Sequence, residues 1–288
     1  MHIHPSIFRE YDIRGVYPSE VNGDVAYAIG KGYAALVAKE NPEKKLRIAI
    51  GSDMRLSGPE LKERLIAGLI ESGLDVEDMG LVSTPVFYFG VARFDYDGGI
   101  QVSASHNPKD WNGFKIVRRG AVAMGKSSGV GDIERIIKEE AFISALVSGS
   151  LRKKEGVLDA AVEDALSRVK NVSAIRPLRV VVDAANGMGA LDMGALFAKL
   201  PCDVVKMNFE LDGNFPAHEA DPMKSENIRP LCERVKEEGA DLGIAPDGEC
   251  KDENAPDGER AKAGEKQDLE HREFSHTLDC GTGRKIRP

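Results

Sequence analysis

The chain has 288 residues, 42% hydrophobic and 30% charged, with a net charge of −8 from 39 basic and 47 acidic side chains. That composition suits a soluble globular protein with room for two cores, and the acidic balance disfavours a non-specific nucleic-acid binder. No stretch reaches the roughly 20 apolar residues a membrane helix needs, and Met1-His-Ile-His-Pro5 lacks the basic and apolar regions of a signal peptide.

In chain order, residues 46–50 form a short apolar run that predicts a strand, followed by the polar loop Gly51-Ser-Asp-Met-Arg55. Ser57-Gly-Pro-Glu60 predicts a capping box with proline in the first turn. Leu61, Leu65, Ile66, Leu69 and Ile70 recur at helical spacing, with Gly73 as the stop. Residues 75–79 predict a strand, and Thr84-Pro85 opens a helix to about Phe94. Asp97-Gly98-Gly99 turns into a strand that ends near Ser105. Residues 114–117 predict its antiparallel or edge neighbour, and residues 133–146 a further amphipathic helix. Small and charged residues at 148–154 suggest a linker. Beyond it, 157–169 is helical in pattern, 179–183 is a buried strand, and helix signals run to Leu200. A strand at 203–207, the turn-rich loop Asp212-Gly-Asn-Phe-Pro216, a helix at 228–238 stopped by Gly239, and a strand at 241–245 follow. Strand–helix alternation in both halves argues for two α/β domains.

From Glu249 the pattern breaks. The apolar residues larger than alanine are sparse and aperiodic, and charge, glycine and proline dominate, so 249–288 is expected to be disordered. Cys202, Cys232, Cys250 and Cys280 are far apart with no C-x-x-C pair, which disfavours zinc and a disulfide framework and makes a reducing cytoplasm the expected location.

The chemistry concentrates at Gln101-Val-Ser-Ala-Ser-His-Asn-Pro108. An apolar strand delivers one small hydroxyl, Ser105, into a polar turn, with Lys115 a little further on. A serine so placed can carry a phosphoryl group. Phosphoryl transfer relies on positioning and charge neutralisation, so such a site needs a divalent cation and cationic groups as well. Asp247 and Glu249 alternate at a strand end, a spacing that aims oxygens at a hard cation such as Mg²⁺. Arg14, Arg55 and Lys115 are the cationic candidates.

Phe8-Arg-Glu-Tyr-Asp-Ile-Arg-Gly15, Gly51-Ser-Asp-Met-Arg55, Ser103-Ala-Ser-His-Asn-Pro108 with Asn112-Gly-Phe-Lys-Ile116, and Asp212-Gly-Asn-Phe-Pro216 occur in that order. Together they resemble the α-D-phosphohexomutases, in the phosphomannomutase/phosphoglucomutase branch, over roughly residues 7–248. The resemblance implies two consecutive phosphohexomutase-type α/β domains with mixed sheets, 1–150 carrying the phosphoserine loop and 151–248 ending in the metal loop. It implies an isomerase of carbohydrate metabolism that interconverts hexose 1-phosphate and hexose 6-phosphate, of mannose or glucose. Ser105 would be the phosphoserine, Lys115 an acid/base or electrostatic partner and His106 a support for the nucleophile. Tyr11, Arg14, Arg55 and Asn107 would bind substrate or steady the site. Ser105, Asp247 and Glu249 would hold Mg²⁺, with glucose or mannose 1,6-bisphosphate as activator and intermediate. The partner implied is a small phosphosugar, with no nucleic acid, membrane or specific protein partner.

The sequence also departs from that pattern. The family's metal loop reads Asp-Gly-Asp-Gly-Asp-Arg; here it is Asp247-Gly-Glu-Cys-Lys-Asp252. Glu249 replaces the second carboxylate and Lys251 stands where the third belongs, with Asp252 out of register. The family has four domains, and the signals of the third and fourth are not found. A frameshift or mispredicted gene end at Glu249 would account for both. The departures imply weak or lost turnover. The alternatives are a non-catalytic phosphosugar-binding or interaction fragment, and a phosphoglucosamine mutase.

Other readings are weaker. A Ser105–His106 hydrolase lacks the G-x-S-x-G elbow, and adjacent side chains on an extended segment point apart. Asn186-Gly-Met-Gly189 lacks the third glycine of a dinucleotide loop and reads as a plain turn. His218 reads as loop structure, and Trp111 as a packing residue of the serine loop.

Overall fold

The structure, a computed structural model, describes residues 3–247. Glu249 and the rest of the expected tail lie outside them.

The first sheet is mixed. It takes strands β1 (Ile13–Val16), β2 (Arg47–Ser52), β3 (Asp75–Leu81), β4 (Gly98–Val102), β5 (Trp111–Arg118), β6 (Val122–Ala123) and β7 (Leu151–Lys153). Their order is β1-β5-β4-β2-β3-β7, with β6 beside β5. The β4-β2-β3-β7 side is parallel, and β5 and β1 join antiparallel. Residues 114–117, expected as the antiparallel or edge neighbour of the serine strand, are its antiparallel neighbour and lie inside the sheet, between β4 and β1. Period-2 alternation sorts the strand side chains between two cores. Ile48 and Ile50 face helices α1 (Gly23–Glu40), α2 (Gly58–Glu71) and α4 (Val130–Lys138). Ala49 and Val117 face helices α3 (Thr84–Arg93) and α5 (Val157–Ser167).

α1 escapes the sequence reading, which places no element between the first motif and Leu46. Twelve of its eighteen residues are buried, and they include glycines and alanines that blur any apolar stripe. The small residues serve a close helix crossing. A Cβ on Gly30 would meet the Leu69 amide at 3.3 Å and the Gly68 Cα at 3.4 Å. Asn22 caps the helix by accepting from the amides of Asp24 and Val25.

Three local expectations are corrected. The Ser57 capping box does not form: Ser57 is already helical, and its hydroxyl accepts from Asn112 Nδ2 at 2.8 Å. Glu60 instead accepts from the Tyr17 hydroxyl and the Gly23 amide. The helix expected at 133–146 ends at Lys138, followed by Glu140 at φ +50°. The stretch 148–154, read as a linker, contributes β7 to the first sheet, where it pairs with β3. α5 then packs Val157 against the α3 core, so this segment straps the two units together.

The second unit is a parallel three-stranded sheet, β10 (Leu242–Ile244), β8 (Arg179–Asp183) and β9 (Asp203–Met207) in that order. Val180 and Val182 face α6 (Gly189–Phe197), while Val181 faces α7 (Ser225–Glu237). Cys202 is a free thiol. No helix among the described residues is long and apolar enough to cross a membrane.

Candidate active site

The serine loop starts where β4 ends. The Ser103 amide donates to the Gly113 carbonyl of β5, and the Asp53 amide of the β2 loop donates to the Val102 carbonyl. Two parallel strands thus deliver their C-terminal loops side by side. Ser105 is buried and sits at φ +56°, in the left-handed region. A non-glycine residue held there costs about 1–2 kcal/mol, so something must hold it. Its amide donates to Ser103 Oγ at 3.1 Å.

Arg55 does most of the holding. Its Nη1 donates to the carbonyls of Pro108 (2.6 Å) and Trp111 (2.9 Å). Its Nη2 donates to those of Ser105 (2.8 Å) and Asn107 (2.6 Å). The side chain is 1% exposed and pairs through Nε with Asp53 at 3.3 Å. A planar fork with several fixed donors matches several carbonyls at once, as a lysine could not. Expected among the substrate-binding groups, Arg55 has its guanidinium turned to main-chain carbonyls within the protein. Asn107 also stays within the loop, its Nδ2 donating to the Ala104 carbonyl at 2.7 Å.

His106 is exposed, and its Nδ1 lies 3.5 Å from Ser105 Oγ, at the outer limit of hydrogen bonding. Lys115 is 8% exposed on β5, opposite Gln101 of β4. On the other side of β5, Arg14 of β1 lies opposite Gly113. Arg14 pairs with Asp12 at 3.4 Å, and Tyr11 is 65% exposed. Together β1, β5 and β4 carry Arg14, Lys115 and the start of the serine loop on adjacent strands.

Asp247 is buried just past β10. Because β10 runs parallel to β8, Asp247 leaves the second sheet at the same edge as Asp183. The loop after β9 leaves there too and reaches the first unit, where the Phe215 ring lies 5.4 Å from the Arg55 guanidinium carbon. Among the described residues no group of three or more histidine, cysteine, aspartate or glutamate side chains is placed to hold a metal. Ser105 and Asp247 offer oxygen donors only, the chemistry of a hard cation. Glu249, expected as a further ligand, lies outside the described residues.

Four contributors escaped the sequence reading: Asp53, Ser103, Phe215 and the Asp183–His218 pair. Asp53 lies two residues before Arg55 within a quoted motif, and that spacing was the available signal. His218 Nε2 lies 3.1 Å from Asp183 Oδ2, and its Nδ1 lies 2.8 Å from the Glu219 carbonyl. Both neighbours are acceptors, so each favours a proton on the ring nitrogen that faces it. Asp183 raises the His218 pKa above 6.5, with burial opposing and the Glu219 carbonyl adding to the rise. Burial pushes the Asp183 carboxyl up, but donors from His218, Asn208 and the Ala185 amide outweigh it and leave it below 3.8.

The histidine's contribution is present below its unfolded pKa and fades as pH rises through the raised one. The aspartate's contribution is present above its unfolded value and fades as pH falls through the lowered one. The melting temperature of the second unit should therefore fall as pH is raised from about 6 to about 9, beyond the ordinary histidine range. His218→Gln should flatten that fall, and melts recorded across the range would check it; an equal fall in the variant would contradict the pairing.

With this geometry in view, residues 5–144 match the sequence profile of phosphoglucomutase/phosphomannomutase, alpha/beta/alpha domain I, and residues 159–251 match domain II. The chain belongs to the phosphoglucomutase/phosphomannomutase family. Among similar relatives, a phosphoglucomutase of Neisseria gonorrhoeae is 37% identical over 244 residues, covering 85% of this chain and 51% of its own. A phosphomannomutase/phosphoglucomutase of Pseudomonas aeruginosa PAO1 is 38% identical over 250 residues, covering 85% and 50%. A crystal structure of a phosphoglucomutase/phosphomannomutase family protein from Burkholderia thailandensis superposes with a TM-score of 0.77 at 36% identity, covering 86% of this chain and 54% of the other. The chain spans about half the length of the curated relatives it matches. Family membership places the serine loop in domain I, and the loops after β9 and β10 in domain II.

Proposed function

We propose that this chain carries the phosphoryl-transfer half of a phosphohexomutase, with Ser105 as the phosphate carrier. The observation that supports it is the Ser105 backbone, left-handed, buried at a strand end and held by a sealed arginine. Strain of this kind persists where surrounding structure over-determines it, and it gathers at functional sites. In the proposed reaction Ser105 Oγ gives its phosphoryl group to a hydroxyl of a hexose 1- or 6-phosphate, forming a 1,6-bisphosphate. After the sugar reorients, the other phosphate returns to the serine. Lys115 is proposed to act at the reacting oxygen, as a proton donor and acceptor or as positive charge. Arg14 and Tyr11, on or beside β1, are proposed to meet the substrate. Arg55 and Asn107 position the loop, and His106 stands at its exposed side.

Mg²⁺, when bound, would neutralise the phosphoryl charge, with Ser105, Asp247 and Glu249 as the proposed holders. The unit boundary, expected at 150/151, is proposed just past β7, because Leu151–Lys153 pair with the first sheet, and the location is proposed as cytoplasmic. Mannose and glucose phosphates are the proposed substrates, and a 1,6-bisphosphate the proposed activator. Lys251, four residues after Asp247 in the sequence, favours a second reading, a phosphosugar-binding fragment without turnover. Phosphorus NMR separates the two. With Mg²⁺, glucose 1-phosphate and a trace of glucose 1,6-bisphosphate, conversion to glucose 6-phosphate supports the mutase. Titration that shows sugar-phosphate binding with no conversion supports the fragment.

A further inference from the structure

The loop joining β9 to α7 is pinned at its base and pressed on the first unit at its tip. At the base, the Asp212 amide donates to the Asn186 carbonyl (3.1 Å), Asn186 Nδ2 to the Glu210 carbonyl (2.9 Å), and the Ala217 amide to Asn186 Oδ1 (3.3 Å). His218 closes it onto Asp183 at the end of β8. At the tip, a Cβ on Gly213 would lie 2.8 Å from the Leu56 amide, 2.9 Å from the Met54 carbonyl and 3.0 Å from the Arg55 Cα. Only glycine lets that turn lie so close to the β2 loop. Phe215 sits at φ +51°, and its ring covers the guanidinium that holds four carbonyls of the serine loop.

We infer that Phe215 is a positioning residue for Ser105, covering Arg55 and so tying the serine loop to the strand ends that carry Asp247. A ring over a guanidinium attracts it through the ring quadrupole, more strongly when water is excluded. It also limits the directions in which Arg55 can leave its carbonyls. The two halves of the proposed site are thereby registered through protein contacts. The inference gives the proposed phosphoryl transfer its alignment, and rests on that reading for its purpose.

The chain's single tryptophan supplies the readout. Trp111 lies at the far end of the serine loop; its carbonyl accepts from Arg55, and its ring lies 5.0 Å from the Arg9 guanidinium carbon. In the full chain, Phe215→Ala should make Trp111 more accessible to acrylamide and speed amide exchange over residues 105–111 by about tenfold, the scale of one lost cation–π contact. Phe215→Tyr keeps a ring and should match the parent. Val235→Ala thins the core under α7 away from the loop and should leave both signals unchanged. Should Phe215→Ala fail to fold, Phe215→Leu keeps the volume without the ring and serves the same comparison. Parent-like signals in the ringless variant, or an equal change in Val235→Ala, would overturn the inference. These signals are read without substrate, so a failure of Ser105 to take phosphate would count against the proposed function alone.

Discussion

Replacing Arg55 with methionine is expected to cost about 3–5 kcal/mol of stability, the range for removing one partner of a buried charge pair. The side chain is 1% exposed and its donors reach four carbonyls between Ser105 and Trp111. Methionine fills much of the volume but offers no donor, leaving Asp53 without that cation and the loop without its clamp. Ser105 would then be freed from φ +56°, because the residue's own preference lies elsewhere. Phosphoryl transfer should fall by about 100-fold or more, since small misplacements of reacting groups carry penalties of that size. Arg55→Lys should not rescue it: an ammonium cannot present the same planar fork. Urea unfolding and single-turnover labelling with glucose 1,6-bisphosphate would check both effects. Parent-like labelling in Arg55→Met would show that the clamp is dispensable.

Lys115→Met is expected to separate chemistry from folding. Lys115 is buried on an interior strand, and its neighbours Phe114 and Ile116 hold β5 in the larger core. Losing the ammonium should leave the sheet in place. If Lys115 acts at the reacting oxygen, single-turnover transfer should slow by about 10²–10⁴-fold, the usual contribution of a positioned acid or base. Rapid-quench kinetics would measure it, with circular dichroism confirming the fold. A rate within a factor of about two of the parent, far below that range, would remove Lys115 from the chemistry.

How much of this was legible in the sequence depended on the range of the signal. Strands such as Arg179–Asp183 and Asp203–Met207 were readable because every determinant is local: apolar runs bounded by turn residues. Ser105 was readable because the apolar strand ends just before it, at Val102, and a turn follows. α1 was not, because its glycines and alanines serve a helix crossing that appears only once α2 lies against it. Ser57 failed for the opposite reason, a sound local motif overridden by a buried bond to Asn112. Arg55 was visible as a cation, but its partners are backbone carbonyls, which carry no sequence signature. Phe215 reaches Arg55 from the other unit, and the pairing of Asp183 with His218 spans a strand end and a loop. Contacts of this kind are set by topology rather than by neighbouring residues.

The identity of Ser105 as the phosphate carrier is tested most directly by mass spectrometry of the intact chain. Protein incubated with Mg²⁺ and glucose 1,6-bisphosphate would be digested and mapped, with Ser105→Ala alongside. A single phosphate is expected on the peptide containing Ser105, absent from the variant and lost again when sugar monophosphate is added. An unmodified Ser105 in a folded chain, or phosphate that persists in Ser105→Ala, would contradict it.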